Sequence, residues 1–167
     1  LHSFPTRRSS DLSSGMSQGP MRSTCERRAR WRPKAVASQI ADLEAQLAAR
    51  SSAACKTYAA QLKAGREAFL EVVDFVLANV KSNPNAVFAG SVPYLMLAAN
   101  LVCAWQMGRA LIVAEDKLAV GEDADFMAAK IATVRFYGDH ILPRVASQRL
   151  AILNGGESVT AMSVDAF

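Results

Sequence analysis

The 27 residues between Lys81 and Arg109 contain no aspartate, glutamate, lysine or arginine. In the helix predicted over about 84–119, apolar side chains lie on nearly every side of the axis. Such a helix is either the buried centre of a bundle or a membrane span. Asparagine, glutamine, proline and glycine interrupt this stretch, and much of the rest is alanine, which gains little from lipid. We therefore expect the core helix of a soluble bundle, with a transmembrane span as the alternative.

Two helices are predicted before this stretch. The first begins at Ala35 and ends near Arg50, because its apolar residues recur at intervals of three and four positions. Those residues are Val36, Ile40, Leu43 and Leu47. The second helix is capped by Ser51 or Ser52, whose hydroxyl can accept from a free amide of the first turn. It continues to the Lys81-Ser-Asn-Pro run.

The third helix is predicted to begin at Asn83-Pro84, since proline suits the first helical position. We expect it to break or kink at Gly90 and Pro93. A turn over 121–125 then leads into the fourth helix.

The fourth helix is predicted to bend at Pro143 and to end at Gly155-Gly156. No alternating strand pattern appears along the chain. The sequence thus predicts an all-α fold, an up-down bundle of about four helices over 35–158. We expect a disordered tail over 1–34 and a frayed tail over 159–167.

The basic charge is confined to one end of the chain. Residues 1–34 carry eight basic and two acidic side chains, whereas residues 35–167 carry eleven basic and thirteen acidic ones. The formal net charge of +4 therefore derives from the tail. We expect no nucleic-acid partner, and keep a basic arm with Trp31 as a stacking residue as the alternative for the tail.

The first twelve residues have an unusual sequence. Residues 2–12, HSFPTRRSSDL, correspond to a common sequencing-library adapter translated in frame, and the chain begins with Leu1. We interpret residues 1–12 as adapter-derived and exclude them from fold prediction. We interpret residues 13–34 as disordered or out of frame.

Two groups of residues have side chains that can bind metal or act as nucleophiles. The cysteines Cys25, Cys55 and Cys103 lack metal-ligand spacing, and Cys103 is expected to act as a small apolar residue in its helix. The acidic run Glu122, Asp123 and Asp125 has no EF-hand spacing and is better explained by capping of the fourth helix.

The remaining polar candidates lie on the fourth helix. His140 is interpreted as a structural or surface residue. Arg135 and Tyr137 are expected to form a buried salt bridge or to pack, and binding of a partner or a phosphate is the alternative. No nucleotide-binding, hydrolase or metalloprotease motif occurs. We therefore predict no catalytic, cofactor-binding or metal-binding residue in this chain.

Three stretches carry a resemblance to a known family: AGSVPYLML from Ala89, WQMGRAL from Trp105, and FMAAKIATVRFYGDHILP from Phe126. They resemble the C-terminal helical extension of bacterial FAD-dependent acyl-CoA dehydrogenases of the methylthiopropionyl-CoA dehydrogenase-like subgroup. The likeness covers about residues 35–158. It implies a parent enzyme that oxidises acyl-CoA between its α and β carbons, with a glutamate base and FAD held in domains that precede the extension.

The resemblance implies a fragment without its own active site. It would be an accessory domain that packs on the parent's catalytic body and contributes to a homo-oligomer in the cytoplasm, with no membrane span and no bound FAD of its own. The alternative is a free-standing helical interaction protein or a small membrane protein.

Overall fold

A computed structural model describes residues 19–161 and 164–166 of the chain. Helices make up almost all of this described part. These residues contain no strand. The predicted all-α class is thus confirmed. The helices are α1 (Gly19–Ala48), α2 (Ala53–Asn79), α3 (Pro84–Ala89), α4 (Ser91–Ala119), α5 (Ala124–Phe136), α6 (Arg144–Asn154) and α7 (Gly156–Thr160), with a π-helical turn at Tyr137–Ile141 and a 3-10 turn at Val164–Ala166.

The long helices form a bundle in which α2 and α4 are central. Helix α2 packs against α1, α4 and α6, and α4 packs against α2, α5 and α6. Helices α5 and α6 together occupy the place of the predicted fourth helix. The core of the bundle is apolar apart from the Cys55 thiol and the Tyr58 hydroxyl, and its largest fully buried members are Ile40, Leu47, Leu62, Leu97, Leu101, Leu111 and Ile152.

Helix α1 begins at Gly19, sixteen positions before the predicted start at Ala35. The prediction relied on an apolar period, which is absent from residues 19–34. Arginine, methionine and alanine nevertheless favour helix without such a period. The side chains of residues 19–32 and all of residues 1–18 lie outside the described part, so the adapter interpretation stays a prediction.

Two predicted caps are present. The Ser52 hydroxyl accepts from the backbone amide of Cys55 at 3.4 Å, at the start of α2. The Asn83 side chain accepts from the amide of Ala86 at 3.3 Å, and Pro84 opens α3. Each cap satisfies an amide that has no partner within its own helix.

The two predicted interruptions also occur, with different forms. Gly90 separates α3 from α4, while Pro93 lies in the first turn of α4, where a missing amide is tolerated. Ahead of Pro143 the helix widens into the π-helical turn, in which the amide of Leu142 donates to the carbonyl of Tyr137 at 3.0 Å. Such turns relieve the clash between a proline ring and the preceding turn. Helix α6 ends at Asn154 with Gly155 as its C-cap, as predicted, and α7 begins at Gly156.

Helix α4 is buried on one side only, which corrects the expectation of a helix buried all round. Leu101 is 1% exposed, whereas Tyr94 and Trp105 are half-buried. The outer side of α4 is exposed because the neighbouring helices all pack on its inner side. Helices α1, α2, α5 and α6 contact the inner side of α4, whereas large side chains on the outer side of its first half stay exposed among the described residues.

A glycine on the inner side of α4 allows three helices to meet. A Cβ atom added at Gly108 would lie 3.0 Å from Leu43 Cδ2 of α1 and 3.2 Å from Tyr58 Cε1 of α2. One turn earlier, the Tyr58 hydroxyl donates to the carbonyl oxygen of Ala104 at 2.9 Å. Small residues at these positions therefore fix how closely α1 and α2 approach α4.

These burials predict an order of stability for two truncations on α4. Leu101→Ala should lower the free energy of unfolding by about 2–5 kcal/mol, because it leaves a cavity in the core. Trp105→Ala should cost less than Leu101→Ala, because the Trp105 ring already contacts solvent. Urea unfolding followed by circular dichroism measures both, and a larger loss for Trp105→Ala would contradict the placement of these residues.

Candidate functional site

A polar cluster joins the α1–α2 connection to the end of α4. The Ser52 hydroxyl donates to Glu115 Oε1 at 2.5 Å, and the Cys55 thiol donates to Glu115 Oε2 at 3.0 Å. Beside them, Arg50 donates through Nη1 and Nη2 to the two carboxylate oxygens of Asp116, at 2.7 and 2.8 Å. Both carboxylates are thus used to hold the connection against α4, which is a structural role.

The two described cysteines differ in chemistry. Cys55 is fully buried, and this burial, with the hydrogen bond to Glu115, raises the pKa of its thiol to about 12. It is therefore a protonated thiol at neutral pH and not a nucleophile. Cys103 is exposed on the outer side of α4, whereas the sequence predicted a small apolar residue within a buried helix. Among the described residues, no three His, Cys, Asp or Glu side chains form a metal-binding group.

His140 lies on the π-helical turn and is exposed. Its ring stacks against Phe136, with 4.6 Å between centroids. The neighbouring Asp139 instead accepts a hydrogen bond from Gln61 Nε2 of α2 at 3.0 Å. This arrangement fits the predicted surface role of the histidine.

The acidic run after α4 closes one helix and opens the next. Gly121 has a φ of +74°, and its amide and that of Glu122 donate to the carbonyls of Leu118 and Lys117, at 3.1 and 3.0 Å. This pair of bonds is the Schellman ending of a helix, which favours glycine. The Glu122 carboxylate also pairs with the Lys117 ammonium group. Asp123 occupies the N-cap position of α5, but its side chain makes no capping hydrogen bond.

Tyr137 and Arg135 have separate environments. The Tyr137 hydroxyl donates to the carbonyl of Asn100 on α4 at 3.0 Å, and burial raises its pKa to about 12. Tyr137 therefore packs against α4, and packing was one of the two roles predicted for it. Arg135 is exposed, and no carboxylate of the described residues lies within salt-bridge distance of it. The prediction of a buried salt bridge at Arg135 is therefore wrong. The place of Arg135 on an exposed turn of α5 explains the difference.

Helices α1, α4 and α5 enclose an open groove of about 590 Å³, which we call the cationic groove. Apolar side chains form much of its surface, and its charged lining residues are all basic. The apolar lining includes Leu43, Val113 and Met127, and the basic lining residues are Arg109, Lys117 and Lys130. The groove combines apolar contact with positive charge, which suits an acidic amphipathic partner.

Two of these cations have no carboxylate partner in the described part of the chain. The Arg109 guanidinium lies 5.7 Å above the Trp105 ring and donates to Gln106 Oε1 at 3.2 Å. The Lys130 ammonium lies 5.5 Å from the centroid of the Phe126 ring. Cation–π contacts hold both groups near the groove and leave their charge available. Sequence reasoning missed this site, because the three helices that form it meet only in the folded chain.

A second surface, which we call the outer stripe, runs along α3 and the first half of α4. It consists of large apolar side chains that are 41–69% exposed. They are Phe88, Val92, Leu95, Met96 and Val102. An exposed apolar patch such as the outer stripe marks an interaction surface.

Helix α4 is also long and apolar enough to cross a membrane. Its most apolar 18 residues have a mean hydropathy of 1.4, and 28% of them are buried within the fold.

Comparison with known proteins gives two matches. A family model described as "Acetyl-CoA dehydrogenase C-terminal like" matches residues 21–163. The chain is also 38% identical over 128 residues to the 3-methylmercaptopropionyl-CoA dehydrogenase of Ruegeria pomeroyi. That alignment covers 77% of this chain and 22% of the relative. The chain thus spans about a fifth of the relative's length.

The two described thiols should react very differently. In dilute Cys25→Ser protein at pH 8, a maleimide should label Cys103 and leave Cys55 unmodified, because only Cys103 is exposed and the pKa of Cys55 is raised to about 12. Mass spectrometry of the labelled peptides measures this, with guanidinium-unfolded protein as the control that labels both. Equal labelling of both thiols in the native state would contradict the buried position of Cys55.

An exposed ion pair should contribute to acid sensitivity. Arg149 donates to both carboxylate oxygens of Glu71 at 2.5 Å, which lowers the pKa of Glu71 in the folded state. The stabilisation is therefore present above the ordinary glutamate pKa and is lost as pH falls through the lowered value. Glu71→Gln should lower the urea midpoint at pH 7 and leave it near the wild-type value at pH 2. An equal difference at both pH values would contradict this assignment.

Proposed function

Because the chain belongs to the acetyl-CoA dehydrogenase C-terminal-like family, we propose that it is the accessory helical domain of an acyl-CoA dehydrogenase flavoenzyme. In this proposal its role is structural: it packs on the catalytic body, stabilises it and contributes to a homo-oligomer. The parent enzyme oxidises acyl-CoA at the α,β bond in the cytoplasm.

The chemistry of the described residues supports a role without catalysis. The buried thiol is protonated, both carboxylates of the polar cluster hold structural hydrogen bonds, and the histidine is a surface residue. All residues that line the cationic groove lie within α1, α4 and α5, so no glycine-rich turn is available there to bind a flavin pyrophosphate. The groove does not fit FAD, and we assign the flavin to the catalytic body.

The cationic groove is the observation that carries the docking role. A partner that covers the groove would remove its apolar lining from water, which is favourable. The same partner would also remove Arg109 and Lys130 from water, so it would have to supply acidic groups to pair with them. We assign as its occupant an acidic amphipathic segment of the catalytic body. Buried pairs of this kind orient one surface against another and disfavour wrong partners.

The alternative, a small membrane protein, has one observation in its favour, the apolar length of α4. Against it, the second half of α4 carries Arg109, Glu115, Asp116 and Lys117. The inner side of the helix is also occupied by its contacts with α2, α5 and α6. A membrane-spanning α4 would have to give up these contacts.

The docking role predicts a charge-dependent complex. The R. pomeroyi relative, truncated before the segment that aligns with this chain, supplies a catalytic body for the experiment. The purified chain should bind that body, and the double variant Arg109→Glu/Lys130→Glu should weaken binding by about 100-fold, since like charges replace complementary ones. Isothermal titration calorimetry measures both affinities. Alone, the chain should show no flavin absorbance and no acyl-CoA oxidation.

The matched control reverses two exposed cations outside the groove, Lys56→Glu/Arg144→Glu. It carries the same change in net charge and should bind as the wild type does. Equal loss in both double variants would mean that only net charge matters and would contradict docking through the groove. A yellow protein, or acyl-CoA-dependent reduction of an electron acceptor by the chain alone, would overturn the accessory role.

A further inference from the structure

We propose that the outer stripe is a two-fold interface with a second copy of this chain, formed by the outer side of α4 from each copy. The inference deepens the proposed structural role and rests on it for its biological meaning. It assigns the stripe to self-association and leaves the cationic groove for the catalytic body. The two surfaces differ in charge, and this difference carries the assignment.

A two-fold interface places a surface against an identical surface. Any charge near the axis then faces a like charge, which is unfavourable once water is excluded. The outer stripe avoids this cost, because the 27 residues between Lys81 and Arg109 carry no charge at all. An interface with a different protein would have no such requirement.

The cationic groove cannot serve the same purpose. In a two-fold contact through the groove, Arg109 and Lys130 would face the same cations of the second copy. No carboxylate among its lining residues could separate them. Of these two surfaces on α4, only the outer stripe can therefore pack against the same surface of a second copy without bringing like charges together.

The shape of the stripe also suits a helix packed on a helix. Ala99 and Cys103 lie on the exposed side of α4 between the large side chains of Leu95, Met96 and Val102. Small residues flanked by large ones allow two helix axes to approach to about 8–10 Å, with large side chains filling the adjacent grooves. From Val92 to Val102 the part of the stripe on α4 is about 15 Å long, close to three helical turns.

Sedimentation velocity of the purified chain tests the proposal. The wild type should show a concentration-dependent monomer–dimer equilibrium. Leu95→Glu should weaken the dimer by about 100-fold or more, because it places an unpaired carboxylate in the apolar contact. Because Leu95 is 66% exposed in the monomer, this change should leave the helical circular dichroism unaltered.

Two variants provide matched comparisons. Leu150→Glu introduces the same charge at a residue on α6 that is 51% exposed, as Met96 is on the stripe, and it should dimerise like the wild type. Met96→Glu should behave like Leu95→Glu. The variant Arg109→Glu/Lys130→Glu should still dimerise while losing the catalytic body, so failure of the docking proposal is distinguishable from failure of this one.

The Cys103 thiol gives a second readout, since it lies within the stripe and is exposed in the monomer. In the Cys25→Ser background, its labelling by a maleimide should slow as protein concentration rises. In the Cys25→Ser/Leu95→Glu variant the rate should not depend on concentration. Cys55 does not interfere, because it is buried.

Three results would overturn the proposal. The first is a wild type that stays monomeric at every concentration. The second is equal loss of dimer in Leu95→Glu and Leu150→Glu, which would indicate a nonspecific effect of charge. The third is flotation of the wild type with phosphatidylcholine vesicles that is lost in Leu95→Glu, because lipid would then be the occupant of the stripe.

Discussion

The close approach of three helices at Gly108 is the constraint on which the rest of the fold depends. A side chain at this position would push against Leu43 of α1 and Tyr58 of α2. Because neither is displaced, α1 and α2 both reach the inner side of α4, and Tyr58 can donate to the carbonyl of Ala104. That hydrogen bond satisfies a buried hydroxyl, which would otherwise be costly to bury. The tight inner side leaves the neighbouring helices on one side of α4 only.

The one-sided covering of α4 explains why an apolar helix presents two different surfaces. Along its first half, the exposed residues are large and uncharged, and they form the outer stripe. Along its second half, α1 and α5 flank the helix and the cationic groove lies between them. The sequence itself changes at Arg109, where the charge-free run ends. The boundary between the two surfaces therefore coincides with the end of the charge-free run in α4.

Local signals were enough to predict where most helices begin and end. Ser52, Asn83 and the 121–125 turn act through hydrogen bonds within a few residues, so their effect can be read without knowing the fold. The start of α1 was missed because the arginine-rich segment favours helix without an apolar period. The half-buried Trp105 and the exposed Cys103 depart from the buried helix that the sequence predicted, for a different reason. Their burial depends on which helices cover α4, and the composition of α4 itself does not specify that.

The candidate surfaces were harder to predict than the fold. The resemblance implied a domain that packs on a catalytic body but did not indicate which surface does so, and the described residues include an exposed apolar surface on α3 and α4. Its division into a neutral and a cationic part depends on the packing of α5. Lys130 lies twenty-one positions from Arg109 in the chain, and only the turn at Gly121 returns α5 along α4 to bring both cations to one groove.

The two proposed interfaces would both lie on α4, which has a consequence for assembly. Helix α4 has 29 residues and a length of about 43 Å, and its inner side is held by the core. A rigid helix that contacts a second copy with its first half and a catalytic body with its second half fixes the relative position of the two. Neither contact then requires a conformational change to accommodate the other. In the proposed enzyme, the accessory domain would set the geometry of the oligomer through α4, while the chemistry stays with the body that docks at the groove.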